Sequence, residues 1–179
     1  MISMIRWLIA HRIHAVERRQ GLSLAYLHCM LRISLPHFLK FIKIMPLARF
    51  RRALPPEAYH LARIVTARHE DCGTCLQMEI QLAKQAGVGV HLLHAVLDES
   101  PCSLPPELAE VYFFAEAVAT GSGEEDTWRE AIFRRYGDIG IIELSLAIAV
   151  SRMFPTLLHA MGYAAPCVPS NTQVGARDR

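Results

Sequence analysis

Apolar residues recur at the three- and four-residue spacing of an α-helix along most of this 179-residue chain. Strand signals are sparse, and the clearest is the alternating stretch IELSLAI at 142–148. Prolines and glycines separate the helical segments, as expected because these residues end or kink helices. The pattern therefore predicts an all-α fold.

The predicted helices follow from this periodicity and from two copies of LPPE, at 54–57 and 104–107. A proline pair before a first-turn glutamate is a good helix opening, because proline tolerates the first turn and the acid suits the helix dipole. Pro46 and Pro155 are expected to kink or end their helices. The predicted ranges are 2–19, 22–33, 37–50, 56–69, 72–86, 90–98, 106–120, 124–137 and 141–162.

Charge divides the chain unevenly, with a net +10 over residues 1–68 and −8 over residues 69–179. We predict a basic N-terminal helical extension (1–52), a helical domain (53–165) and a disordered tail (166–179). The basic residues are interleaved with core-type residues, and the densest cluster, RFRR at 49–52, is too short for a nucleic-acid site. The two halves are expected to face each other or a neighbouring subunit.

The compartment is predicted from targeting signals and cysteines. No apolar run is long enough to be assigned as a transmembrane segment, and the four-residue apolar block after Arg6 is too short for a signal peptide. Five cysteines at irregular spacings argue against a secreted disulfide framework. We therefore expect a cytoplasmic protein.

The most informative motif is CGTC, with Cys72 and Cys75 three residues apart at the start of a predicted helix. A helix N-terminus favours the reactive thiolate over the thiol, and Asp71 is the expected cap. The neighbouring acids act against thiolate formation, so the site needs a countervailing group. Glu79 lies four residues after Cys75 on the same face, and His60 is available on the preceding helix.

Three other interpretations of the motif remain open at this stage. The cysteines can be simple core residues, since cysteine is among the most buried residue types. A zinc site needs two further ligands, which His60, His69 or the His91/His94 pair can supply. A thioredoxin-like fold would use residues 61–67 as the strand before the motif, but it needs more strand signals than the chain contains.

Residues 54 to about 98, LPPEAYHLARIVTARHEDCGTCLQMEIQLAKQAGV and the residues after it, resemble the alkylhydroperoxidase D-like members of the carboxymuconolactone decarboxylase family. The segment RRYGDIGIIELSLAIAVSRMFPTLLHAMGY is similar to the closing helix of that family. The resemblance covers roughly the last two-thirds of the chain and leaves out residues 1–50. It implies an oligomeric helical bundle with a thiol peroxidase or disulfide-exchange centre.

The resemblance also implies roles for individual residues. Cys75 matches the cysteine that attacks peroxide, and Cys72 matches the resolving cysteine. The family has a glutamate twelve positions before the first cysteine and a histidine four after the second, whereas this chain has His60 and Glu79. The two residue types are exchanged, which leads to the hypothesis that His60 and Glu79 form a hydrogen-bonded proton relay in reversed order.

The sequence therefore predicts an enzyme that carries out thiol-dependent peroxide reduction or dithiol–disulfide exchange. Its catalytic residues are predicted to be Cys75, Cys72, Glu79 and His60, with no cofactor and no metal ion. The expected partners are a small peroxide, a dithiol or lipoyl-type reductant and further copies of the chain, but no nucleic acid. The alternative is a non-catalytic helical interaction protein that retains the motif.

Overall fold

The structure, a computed structural model, describes residues 2–165, and all regular secondary structure in that range is helical. This confirms the all-α prediction. The alternating stretch at 142–148 is part of a helix, so its strand-like pattern was misleading. The predicted disordered tail, 166–179, lies outside the described residues.

The helices agree closely with the predicted ranges, and Pro106–Thr120 agrees at both ends. In chain order they are α1 Ile2–Gln20, α2 Ala25–Ile33, α3 Leu35–Ile42, α4 Met45–Ala48, α5 Pro56–Arg68, α6 Gly73–Gln85, α7 Val90–Leu97, α8 Pro106–Thr120 and α9 Glu125–Met161, with a 3₁₀ turn at Pro101–Ser103 between α7 and α8.

Prolines account for most of the differences from the predicted boundaries. Pro36, which lies between the predicted helices 22–33 and 37–50, belongs to the first turn of α3, where its missing N–H has no helical partner to lose. The predicted helix 37–50 is two helices, α3 and α4, and Pro46 lies in the first turn of the second. α9 continues through Pro155 to Met161.

The two last predicted helices form one long element that is interrupted at Gly137. This residue has φ 65° and ψ −172°, a conformation that is accessible essentially only to glycine. Three residues further on, a Cβ built on Gly140 would lie 2.2 Å from Cβ of Tyr136, so this position also requires glycine. The break therefore lies near the predicted gap between residues 137 and 141.

α9 is long and apolar enough to cross a membrane by length and composition, contrary to the sequence-based expectation that no segment is. In this structure α9 packs against α5 and α8 in the main core. Its Glu143 is 2% exposed and accepts hydrogen bonds from the main-chain N–H groups of Arg52, Ala53 and Leu54 at 2.8, 2.9 and 3.1 Å. Core packing accounts for only part of this apolar composition, because 44% of the apolar window is buried and Ile139 and Ile142 are 68% and 60% exposed.

The buried side chains form two clusters. The larger one is the main core and is built chiefly from α5, α7, α8 and α9. The smaller one joins the N-terminal helices to both cysteines of the motif. Its buried members are Ile13, Leu24, Tyr26, Leu27, Leu31, Phe38, Cys72, Cys75 and Leu158. The first three helices therefore cover the CGTC motif.

Candidate functional site

Cys72 and Cys75 are joined by a disulfide at the N-terminus of α6, with their Cα atoms 5.2 Å apart. Cys72 is the residue that caps the helix, rather than the predicted Asp71. Asp71 precedes it in a left-handed conformation with φ 42°, which turns the chain between α5 and α6. This turn places Cys72 just outside the helix and Cys75 in its first turn.

The main-chain N–H of Gly73, between the two cysteines, donates a 2.8 Å hydrogen bond to the carbonyl oxygen of Ala165. The chain leaving α9 therefore returns to the motif and satisfies one of the N–H groups that a helix N-terminus leaves without an intrahelical partner. Near the start of α6, the main-chain N–H of Leu76 donates a 2.9 Å hydrogen bond to the carbonyl oxygen of Cys72.

Cys72 and Cys75 are both largely inaccessible to solvent. Cys72 is 0% exposed and Cys75 is 9% exposed, so Cys75 is the one that an external group reaches more easily. The N-terminal helices supply most of the apolar side chains in the cluster around them. The free cysteines Cys29 and Cys102 lie elsewhere, on α2 and in the 3₁₀ turn.

Glu79 lies one turn after Cys75 and forms a bidentate ion pair with Arg63 of α5. The Arg63 Nε–H and Nη2–H groups donate to its two carboxylate oxygens at 2.7 and 2.6 Å. Both side chains are buried, with 3% and 8% of their surface exposed. The positive charge of Arg63 therefore balances the carboxylate, which by itself would disfavour a thiolate at Cys75.

Arg63 also connects this ion pair to the N-terminal extension. Its Nη1–H group donates to the carbonyl oxygen of Ala48 at 2.7 Å and to the Tyr59 hydroxyl at 3.0 Å, and that hydroxyl donates to the same carbonyl at 3.1 Å. Burial acts to lower the pKa of Arg63, but the charge and hydrogen bonds of Glu79 raise it further than burial lowers it. Arg63 is therefore a fixed cation.

His60 is partly buried on α5, with its ring edge-on to Tyr59 at 5.2 Å between centroids. Its Nδ1 atom is buried and has no hydrogen-bond partner. Burial lowers the pKa of His60 to about 4; the nearby charge of Glu79 opposes this shift and that of Arg63 adds to it. The ring is therefore neutral at pH 7.

The hydrogen-bonded pair of His60 and Glu79 that the sequence predicts is not formed. Both carboxylate oxygens of Glu79 accept hydrogen bonds from Arg63. The charge of Glu79 affects the pKa of His60 electrostatically, without a hydrogen bond between the two side chains. His60 lies one turn before Arg63, so all three residues face the same junction between α5 and α6. The structure brings them together but gives Glu79 a different partner.

Arg63 is the residue that the sequence analysis missed. Its signal was present in HLARIVTA, where an arginine stands within an otherwise apolar helical stretch. A charge in such a position must find a partner, and a second isolated charge, Glu79, stands on the next helix among core residues. The family pattern assigns roles to positions 60 and 79 and none to position 63.

His69, His91 and His94 are the other histidines that a zinc site at the CGTC motif could use as ligands. His69 Nε2 lies 2.9 Å from a carboxylate oxygen of Glu116 on α8. His91 is exposed in the first turn of α7, where its ring lies close to Gly89. His94 lies one turn further along the same helix. In this structure the two cysteines are joined to each other.

Comparison with known proteins gives no match: no family model, no curated protein and no solved structure is significantly similar to this chain. Its function must therefore be argued from the site itself.

Proposed function

We propose that this protein is a thiol-dependent oxidoreductase that uses Cys72 and Cys75 as a reversible dithiol–disulfide pair, with a small peroxide as the oxidant. The observation that carries the proposal is the disulfide between Cys72 and Cys75 at the N-terminus of α6. A purely structural disulfide between residues three apart closes only a very short loop and constrains the unfolded chain little.

In the reduced protein, the Cys75 thiolate attacks one oxygen of the peroxide ROOH. The S–O bond forms, the O–O bond breaks, and the alcohol ROH leaves with a proton. The Cys72 thiolate then attacks the sulfenic sulfur of Cys75, which forms the disulfide and releases water after protonation. An external dithiol reduces the disulfide by two successive exchanges and becomes a disulfide itself, which closes the cycle.

His60 is the candidate base in this cycle. Its Nδ1 atom has no hydrogen-bond partner, but the pKa of about 4 that burial gives the ring makes it a weak acceptor for the proton of a thiol, whose ordinary pKa is about 8.5. His60 can act as the base only when opening of the site relieves its burial and its pKa rises. Glu79 and Arg63 act differently from the predicted relay. Their buried ion pair links α5 to α6, one turn after His60 on α5 and one turn after Cys75 on α6.

Access to the disulfide requires movement of the N-terminal helices, because Cys72 is fully buried beneath them. A small peroxide needs less movement than a protein-bound dithiol. A lipoyl group is a suitable reductant, since its dithiol stands at the end of a long, narrow arm. A cytoplasmic location would supply such reductants.

The test is peroxide consumption by the full chain with a dithiol donor. Wild type should turn over repeatedly, and Cys75→Ser should lose all activity. Pre-reduced Cys72→Ser, assayed without the donor, should consume one equivalent of peroxide and retain a sulfenic acid at Cys75, because it has no resolving cysteine, whereas pre-reduced wild type should consume one equivalent and form the disulfide. Cys102→Ser is the matched control and should keep wild-type turnover.

The second candidate is a non-catalytic helical protein that retains the motif, which the burial of Cys72 favours. In that case peroxide is consumed no faster by wild type than by Cys75→Ser. The disulfide is then a local staple of the turn between α5 and α6.

A further inference from the structure

We propose that His14, Glu17 and His28 form a binding site for a divalent transition-metal ion of the Zn²⁺ type, separate from the cysteine motif. His14 and Glu17 lie one turn apart on the same face of α1, and His28 comes from α2. One potential ligand atom from each residue lies within 4.8 Å of the others. Two imidazoles and one carboxylate are a common ligand set for such ions.

The distances suit a single ion. Oε2 of Glu17 lies 2.8 Å from Nδ1 of His14 and 3.2 Å from Nε2 of His28. Around a tetrahedral Zn²⁺ with bonds of 2.0 to 2.2 Å, neighbouring ligand atoms are about 3.3 Å apart. The ion would take the place of the protons that now lie between these atoms, after small side-chain adjustments.

The carboxylate is held in the orientation that the site needs. Oε1 of Glu17 accepts a 2.7 Å hydrogen bond from the main-chain N–H of Leu24, which leaves Oε2 for the ion. Supporting hydrogen bonds of this kind orient ligands in metal sites. The two imidazole rings are tilted by 34° to each other with centroids 4.3 Å apart, and each places one nitrogen against Oε2 of Glu17.

The site is accessible, and it adjoins a groove of about 650 Å³ whose wall includes Glu17 and His28. The side chain of His14 is 58% exposed, that of His28 26% and that of Glu17 18%. Three protein ligands leave a fourth coordination position for water or a small ligand. The residues of this site come from two helices and match no short metal-binding motif, so the sequence alone gives no signal for it.

The experiment titrates Zn²⁺ into the metal-free full chain, with Cys72 and Cys75 oxidised, in competition with a chromophoric chelator. We expect one equivalent to bind, and we expect His28→Ala and His14→Ala each to weaken binding by at least tenfold. His11→Ala is the matched control, since His11 is an exposed histidine on the same helix and lies outside the cluster; it should bind like wild type.

Circular dichroism establishes that each variant is folded, and His14→Ala serves as the second variant if His28→Ala is not, because His14 is largely exposed. Co²⁺ substitution adds an independent readout: N and O ligands give visible absorption without the thiolate charge-transfer band that a cysteine ligand adds. Substoichiometric binding, binding that survives both histidine changes, or a thiolate band would overturn the proposal.

Discussion

The pair Arg63–Glu79 is the contact that holds the candidate site together at the scale of single residues. Two opposite charges buried at 2.6 Å compensate each other, but either one alone is a buried charge without a partner. Arg63 also ties Ala48 of the N-terminal extension to α5.

A double-mutant cycle tests this pair. Arg63→Met and Glu79→Met should each lower the free energy of unfolding by about 3–5 kcal/mol, because each leaves the partner charge buried and unpaired. The double variant should lose less than the sum of the two, since it removes both charges. Urea unfolding measures all four proteins, and strictly additive losses would show that the pair is not coupled.

His60 gives a second prediction at this scale, through the pH dependence of stability. Its pKa is about 4 in the folded protein and about 6.5 in the unfolded chain, so between these values the unfolded chain holds more protons. The free energy of unfolding is therefore at its full value above pH 6.5 and falls as the pH drops towards 4, by at most about 1.4 kcal/mol per pH unit from this group.

The comparison is between wild type and His60→Gln, unfolded in urea at pH 7.5, 6.0 and 5.0. The wild type should lose stability over this range faster than the variant, which lacks the titrating group. Equal slopes for the two proteins would show that His60 titrates normally and that burial does not lower its pKa in the folded protein.

At the scale of elements, Glu143 of α9 joins the end of the N-terminal extension to the core. Its carboxylate accepts from three consecutive main-chain N–H groups, at residues 52, 53 and 54, just before α5 begins. These groups would otherwise lie near the core without partners, at a cost of about 1–3 kcal/mol for each one that is buried.

Glu143→Leu should therefore lower the free energy of unfolding by several times the loss that Glu143→Gln causes, because glutamine keeps one acceptor oxygen for the same amides. Thermal unfolding of both variants measures the difference. Similar losses for the two substitutions would indicate that packing, and not the acceptor atoms, explains the burial of this residue.

The helices were predictable because their signals are local. Periodicity, LPPE and the glycines placed α5, α6 and α8 within two residues of where the structure has them. The partners were not predictable, because Arg63 reaches Glu79, and Glu143 reaches Leu54, across the fold. The positions of His60 and Glu79 in the sequence made them candidate site residues. Which side chain donates hydrogen bonds to the Glu79 carboxylate depends on how α5 packs against α6.

At the scale of the whole molecule, the N-terminal helices cover the cysteine pair. Seven buried apolar side chains share the cluster with the two cysteines, and six of them come from residues 13–38. Exposed apolar residues on α1, such as Trp7 at 65%, leave the opposite face of this cover open to solvent. The predicted homo-oligomer remains a prediction.

We infer that the disulfide between Cys72 and Cys75 is reversible in the folded protein. The direct measurement is a redox titration of the native full chain in dithiol buffers of graded potential, followed by rapid alkylation and mass analysis of the tryptic peptide 69–84. We predict a single transition in which this peptide gains two alkyl groups while circular dichroism stays unchanged. A pair that stays oxidised in excess dithiol until the protein is unfolded would contradict the claim and identify a structural disulfide.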